Sequence, residues 1–250
     1  MLITLLLTII GSSIGGLLAI GTAWASVKRM IQRSIARHLS DVLPRDRASA
    51  IVLAQYHGGR EKVDWLMNVI TVAAGADENS KVLDIAGATQ LALLDRVTSH
   101  VASVTLYDSK VAFEFMLEQR PSLGVNTKVK RQEGDKLVGD LGFADGTTFD
   151  VVVVIDAIHQ VAPDLRSDAI RSWTRLVNHD GGRMVIVFEA DPLSDVSQAG
   201  VIQGLFHRIH VTAIKALLAA EDMVVYDVLR YPPEFRVAVV ARRRQTSIAE

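Results

Sequence analysis

Residues 82–90 read Val82-Leu83-Asp84-Ile85-Ala86-Gly87-Ala88-Thr89-Gln90. An apolar, partly β-branched run carrying one acid leads into a tight turn at Ala86-Gly87. Turns of this kind bring backbone close to whatever lies beyond the strand. They favour glycine, because a missing Cβ permits close approach and positive φ. Ala88 and Gln90 stand at two positions where such a turn wants glycine. What the chain does depends on whether this turn still holds a ligand.

Outward from the turn, the pattern is that of a strand–helix alternation. Helices are predicted over 47–56, 60–74, 89–98, 109–118, 164–178 and 205–220. Strands are predicted over 81–86, 102–107, 127–132, 151–155, 183–189, 223–230 and 235–242. The run Val151-Val152-Val153-Val154-Ile155 has no polar alternation, as expected of a central parallel strand covered on both faces. Tyr231-Pro232-Pro233-Glu234 reads as the turn of a closing antiparallel hairpin. The expected fold is α/β: a doubly wound, mostly parallel seven-stranded sheet with a C-terminal antiparallel hairpin.

The N-terminal part has a different character. The chain has 250 residues and 49% hydrophobic content, and no charge occurs from Leu2 to Val27. That run matches the ~20 residues of a membrane-crossing helix. Lys28, Arg29, Arg33 and Arg37 follow, with no acid before Asp41, which by the positive-inside rule leaves the C-terminal part in the cytoplasm. The run reads as a retained single-pass anchor in the cytoplasmic membrane. The alternative is a secretory signal ending at Ala23-Trp24-Ala25. The expected divisions are therefore an anchor at 1–27, a basic amphipathic juxtamembrane segment at 28–46 that Pro44 ends, and a globular domain at 47–250. Gly11, Gly15 and Ala19 recur every fourth residue, a spacing that lets a second membrane helix approach closely.

Formal net charge is −1 and cysteine is absent. Neither a nucleic-acid footprint nor a thiolate nucleophile or cysteine metal site is expected. His207 and His210 are spaced i,i+3 without a third ligand, so no metal is expected. Arg242-Arg243-Arg244 reads as a solvated basic end.

In an open α/β sheet, ligands lie beyond the carboxyl ends of the strands at the switch in strand order. Four features fall there: the Asp84–Gln90 turn, Asp108 at the end of the second strand, Gly134-Asp135 after the third, and Asp156-Ala157-Ile158-His159 after the central strand. Asp108 lies 24 residues after Asp84, near the spacing at which an acid receives ribose hydroxyls. Gly-x-Gly-x-x-Gly is absent, which weighs against a nicotinamide-dependent oxidoreductase.

Five segments together resemble the class I S-adenosylmethionine-dependent methyltransferases, specifically the type 11 branch with the ubiquinone/menaquinone C-methyltransferases. They are Val82–Gly87, Leu106–Ser109, Glu133–Asp135, Leu141–Asp150 and Trp173–Arg183. The resemblance implies that S-adenosylmethionine is the cofactor and that the loop Asp84, Ala86, Gly87, Ala88 passes under its methionine moiety. It implies that Asp108, with Ser109 beside it, holds the ribose and that Asp135 meets the adenine amino group. Asp156 lies at the cofactor or acceptor side, with Glu189, and Ile158 or His159 stands near the donor or substrate. Alanine at 86 agrees with the quinone-methylating branch; Ala88 and Gln90 depart from the pattern, and Asp180 replaces a proline before Gly181. Methyl transfer is an in-line displacement in which positioning supplies most of the effect, and His159 is the candidate base if the acceptor must lose a proton.

Two functions follow as expectations. One is a membrane-anchored methyltransferase acting on a small lipophilic acceptor such as a quinone, isoprenoid, pigment or lipid. The other is a catalytically inactive relative, kept as an accessory or assembly subunit of a larger membrane complex.

Overall fold

The computed structural model describes residues 59–190, 209–232 and 236–244. The apolar run, the basic segment, the helix expected over 47–56, His207 and Pro233-Glu234 of the closing turn lie outside the described residues. Among the described residues no helix is long and apolar enough to cross a membrane.

Seven strands form one sheet: β1 (Lys81–Ile85), β2 (Ser103–Asp108), β3 (Val129–Glu133), β4 (Val151–Ile155), β5 (Arg183–Glu189), β6 (Met223–Tyr231) and β7 (Arg236–Arg243). Their order is β3-β2-β1-β4-β5-β7-β6. The first five are parallel, and β7 runs antiparallel to both β5 and β6. The described helices are α1 (Arg60–Asn68), α2 (Leu91–His100), α3 (Lys110–Gln119), α4 (Pro121–Val125), α5 (Arg166–Thr174) and α6 (Val211–Ala220).

The absence of alternation in β4 has a direct cause. Val152 and Val154 enter an apolar cluster with Ile170 and Trp173 of α5 and Ile214 and Leu218 of α6. Val151, Val153 and Ile155 enter the opposite cluster with Leu66 of α1, Leu94 of α2 and Phe113 and Met116 of α3. Every second residue faces one helical layer and the rest face the other, so both faces demand apolar side chains.

Several element ends differ from the sequence expectation for local reasons. The helix expected from 89 begins at Leu91, because the Gln90 N–H closes a turn on the Gly87 carbonyl at 2.9 Å. The segment expected as helix over 60–74 is α-helical only to Asn68 and continues as a π-helical turn, Val69–Ala73. The helix expected to reach 178 ends at Thr174, since Phe149 pairs with Val177 in a short parallel bridge and its N–H donates to the Leu176 carbonyl. Asp180 in place of proline also has a use: its N–H donates to Asn178 Oδ1 at 3.0 Å, a bond that proline cannot make.

Trp173 is fully buried between α5 and the sheet. Trp173→Ala is expected to cost about 3–5 kcal/mol in urea unfolding followed by far-ultraviolet circular dichroism, through lost contacts and the cavity left behind.

Candidate functional site

The chain winds outward from β1 to β3 and then returns to β4 beside β1. The strand order therefore reverses between β1 and β4, and the crevice for a ligand lies past their carboxyl ends. Loops carrying Asp84, Asp108, Gly134 and Asp156 all leave the sheet on that side.

The turn after β1 is built around its own acid. Asp84 is 4% exposed, and a Cβ added to Gly87 would fall on its carboxylate, so the turn folds over that side chain only because residue 87 is glycine. Ala86 has φ +63°, the left-handed region, where an L-side chain costs roughly 1–2 kcal/mol. Its N–H donates to the Tyr107 carbonyl at 2.8 Å, which holds it there. Ala88, by contrast, is not among the residues with positive φ, and its methyl is buried in the cluster with α1 and α2. The strained position is thus Ala86, accepted at the sequence level as a family variant, whereas Ala88 is packed without strain. Gln90 is 2% exposed, and neither its Oε1 nor its Nε2 has a hydrogen-bond partner. It holds the N-cap position of α2 without capping it.

Asp108 joins this turn to β2. Its Oδ2 accepts the Ala88 N–H at 3.0 Å and its Oδ1 accepts the Ser109 N–H at 2.8 Å. Ser109 in turn caps α3, accepting the Ala112 N–H at 3.3 Å. Burial pushes the Asp108 carboxyl up to about 6, against the pull of its two N–H donors, and Asp135 adds a smaller upward push. Burial also drives Asp84 well upward, with Asp108 as the second cause. Asp135 itself is exposed, on a turn held by the Gly134 N–H to the Asp108 carbonyl and by the Tyr107 hydroxyl, which donates to the Lys136 carbonyl at 2.7 Å.

Past β4 the arrangement differs from a simple ligand contact. Asp156, at φ +61°, is held by Arg236 of β7 in a two-pronged ion pair of 2.9 and 2.6 Å. Arg236 is 1% exposed. Sequence reasoning missed Arg236, since 80 residues separate the partners and only the placement of β7 brings them together. Ile158 is buried in the apolar cluster beside α5 and α6. His159 follows in a short 3-10 turn, and its Nε2 accepts the Glu189 N–H at 3.0 Å. Burial lowers its pKa, so the imidazole is neutral and its hydrogen resides on Nδ1. His210 stands at the N-cap position of α6.

The structure therefore brings Asp84, Ala86, Gly87, Ala88, Asp108, Ser109 and Gln90 into one turn, with Asp135 nearby. Asp156, His159 and Glu189 form a neighbouring group past β4 and β5. Two predictions concern these groups. Ala86→Gly is expected to raise stability by roughly 1 kcal/mol by relieving the left-handed strain, whereas Gly87→Ala lowers it, and paired thermal melts read both signs. Asp156→Ala removes both bonds of its ion pair with the buried Arg236 and is expected to cost about 3–5 kcal/mol in urea unfolding, with Asp156→Asn costing less because asparagine tolerates left-handed backbone.

No family model matches the sequence, and no curated protein matches it. Solved structures do match the fold. An O-methyltransferase family protein from Burkholderia thailandensis superimposes with a TM-score of 0.63 at 18% identity, over 81% of this chain. The chain spans only 61% of that protein. The N-methyltransferase NodS from Bradyrhizobium japonicum, in complex with S-adenosyl-L-homocysteine, matches 74% of this chain and 87% of its own, at 16% identity and a TM-score of 0.56. The magnesium protoporphyrin IX methyltransferase from Synechocystis, with the same ligand bound, matches 79% of this chain and 87% of its own at 17% identity and a TM-score of 0.57. The chain has the Rossmann-like fold of the class I S-adenosylmethionine-dependent methyltransferases.

Proposed function

We propose that the protein is an S-adenosylmethionine-dependent methyltransferase whose acceptor is a small lipophilic molecule at the cytoplasmic face of a membrane. The observation that carries the reading is the Asp108 carboxylate. Two backbone N–H groups hold it at the end of β2, and each oxygen keeps a further lone pair for a ribose hydroxyl. Beside it the turn folds over the Asp84 carboxylate at Gly87, whose missing Cβ makes room for that side chain, and Asp84 Oδ1 is buried without a partner.

The donor supplies an activated methyl group on a sulfonium. The protein's share is to bind, align and exclude water, which is where most of the acceleration of an in-line displacement arises. His159, neutral and with Nε2 engaged, offers an Nδ1–H as it stands. It serves as a base only when the bond from the Glu189 N–H opens. Asp156 acts through its ion pair, fixing the left-handed turn from which residues 157–159 proceed.

The lipophilic acceptor and the membrane location rest on sequence. The uncharged run from Leu2 to Val27, followed by four basic residues, is the composition of a cytoplasmic-side anchor. Tethering raises the local concentration of the site near a bilayer-dissolved substrate. Gly11, Gly15 and Ala19 are the proposed contact for another membrane helix. A second reading, a domain kept in a membrane complex without transfer activity, has one observation in its favour: Gln90, a long side chain enclosed in the turn where glycine is expected.

Calorimetric titration with S-adenosylmethionine and S-adenosylhomocysteine separates the two. Micromolar binding, lost about tenfold or more in Asp108→Asn, is the expected result. No binding at millimolar ligand, with binding restored in Gln90→Gly, supports the inactive relative instead.

A further inference from the structure

The ring of His159 is held at one nitrogen only. Its Nε2 accepts the Glu189 N–H at 3.0 Å, so that atom has no lone pair left to receive a proton. The hydrogen therefore sits on Nδ1, which makes no hydrogen bond among the described residues and is not one of the enclosed atoms. What the ring has left to offer a ligand is a donor. Both ends of the Nε2 bond are braced by Arg236. Its two-pronged ion pair with Asp156, at 2.9 and 2.6 Å, fixes the left-handed residue whose carbonyl accepts the His159 N–H at 3.1 Å. The Asp156 N–H donates in turn to the Val187 carbonyl of β5 at 2.9 Å. On the other side, Arg236 lies opposite Glu189 in the β5–β7 register. Ring and N–H thus belong to one clamp, closed by a residue that is 1% exposed.

Resting on the donor reading above, we propose that His159 meets the methyl acceptor as a hydrogen-bond donor, so that the acceptor is a lipophilic carboxylate and the product its methyl ester, with Asp156 and Arg236 as positioning residues. A hydroxyl acceptor has a proton to lose, and the ring has no free lone pair to take it. At about pH 7 a carboxylic acid of pKa ~4 arrives more than ~99% ionised, whereas about one phenol in a thousand, at pKa ~10, does so. An amine would turn its own N–H groups toward an N–H donor. A carboxylate places one oxygen on the Nδ1–H and presents the other to the methyl group. Transfer breaks the methyl–sulfur bond, whose electron pair stays on sulfur, and forms a carbon–oxygen bond from a carboxylate lone pair. The negative charge of the acceptor cancels the positive charge of the sulfonium, both products are neutral at these atoms, and no proton moves. Arg166, the first residue of α5 on the same side of the sheet, has its Nε buried without a partner, a second donor in want of an acceptor. Burial lowers the His159 pKa, in accord with a neutral ring.

The test uses the full chain, labelled S-adenosylmethionine and three probes of one shape: para-butylbenzoate, para-butylphenol and para-butylaniline. Transfer to the benzoate at least about tenfold faster than to the other two is expected. In spectra of isotope-labelled histidine, the Nδ1–H of His159 should shift when the benzoate is added and stay in place with the phenol. His159→Asn keeps a donor near the position of Nδ1 but no base, so it should retain the benzoate rate within about fivefold, whereas His159→Ala loses about tenfold or more. Asp156→Asn loosens the clamp and frees the ring, so the preference for benzoate over phenol should narrow; a merely structural role would lower both rates alike. Equal rates with benzoate and phenol, a hydrogen found on Nε2, or a loss in His159→Asn as complete as in His159→Ala overturns the inference. Binding of S-adenosylmethionine without transfer to the benzoate also overturns it and leaves the donor reading standing. Failure of S-adenosylmethionine to bind removes that reading and this inference together. The spectra and the wild-type rates stand alone if a variant does not fold.

Discussion

β4 is the constraint on which the rest of the structure depends. Its five residues are buried on both faces, so helices must cover both sides of the sheet, and β1 and β5 must flank it in parallel. Parallel neighbours need crossovers, which place α2 and α3 on one face and α5 on the other; α1, ahead of β1, joins the first layer and α6, after β5, joins the second. The reversal of order at β1 and β4 follows, and with it a crevice into which four loops project. A polar residue in β4 would have no compensating partner on either face. The site is therefore a consequence of how an apolar strand is hidden.

Within that crevice, the chain concentrates uncompensated polarity. Asp84 is buried with an unpartnered oxygen, Gln90 is buried with two unpartnered atoms, and Ala86 is held in left-handed backbone. Each costs of order one to a few kcal/mol, and each lies within one seven-residue turn. Nearby, at the end of β4, the same kind of demand is met internally: Asp156 is left-handed and charged, yet Arg236 matches it with two short bonds. The contrast locates the open valences. Past β4 the charges satisfy one another; past β1 they do not.

Much of this was legible in residues 82–90 and 151–155. The strand–turn reading, the seven strands, the parallel sheet and the closing hairpin follow from hydrophobic pattern, and β4 and β5 fall where periodicity puts them. Asp84 and Asp108 are placed by spacing alone. Element ends were less legible, because they are decided by bonds to distant segments, as when Phe149 draws residues 176–178 out of the helix. The weighing of the turn shifted as well. Ala88 is harmless because its methyl packs into the α1–α2 layer, while Ala86, unremarkable as a letter, carries the strain.

The sequence by itself determined the fold class, the carboxyl-end loops and the acids within them, since these depend on local periodicity and on which residue types tolerate burial. Only the tertiary structure decided that Asp156 is matched by Arg236, that the acceptor nitrogen of His159 is taken by the Glu189 N–H, and that Asp84 sits under Gly87 with one oxygen unpartnered. Those outcomes depend on which groups meet across 80 residues or across a strand order. Electrostatic compensation is a property of distance in space, and the order of residues along the chain does not encode it locally.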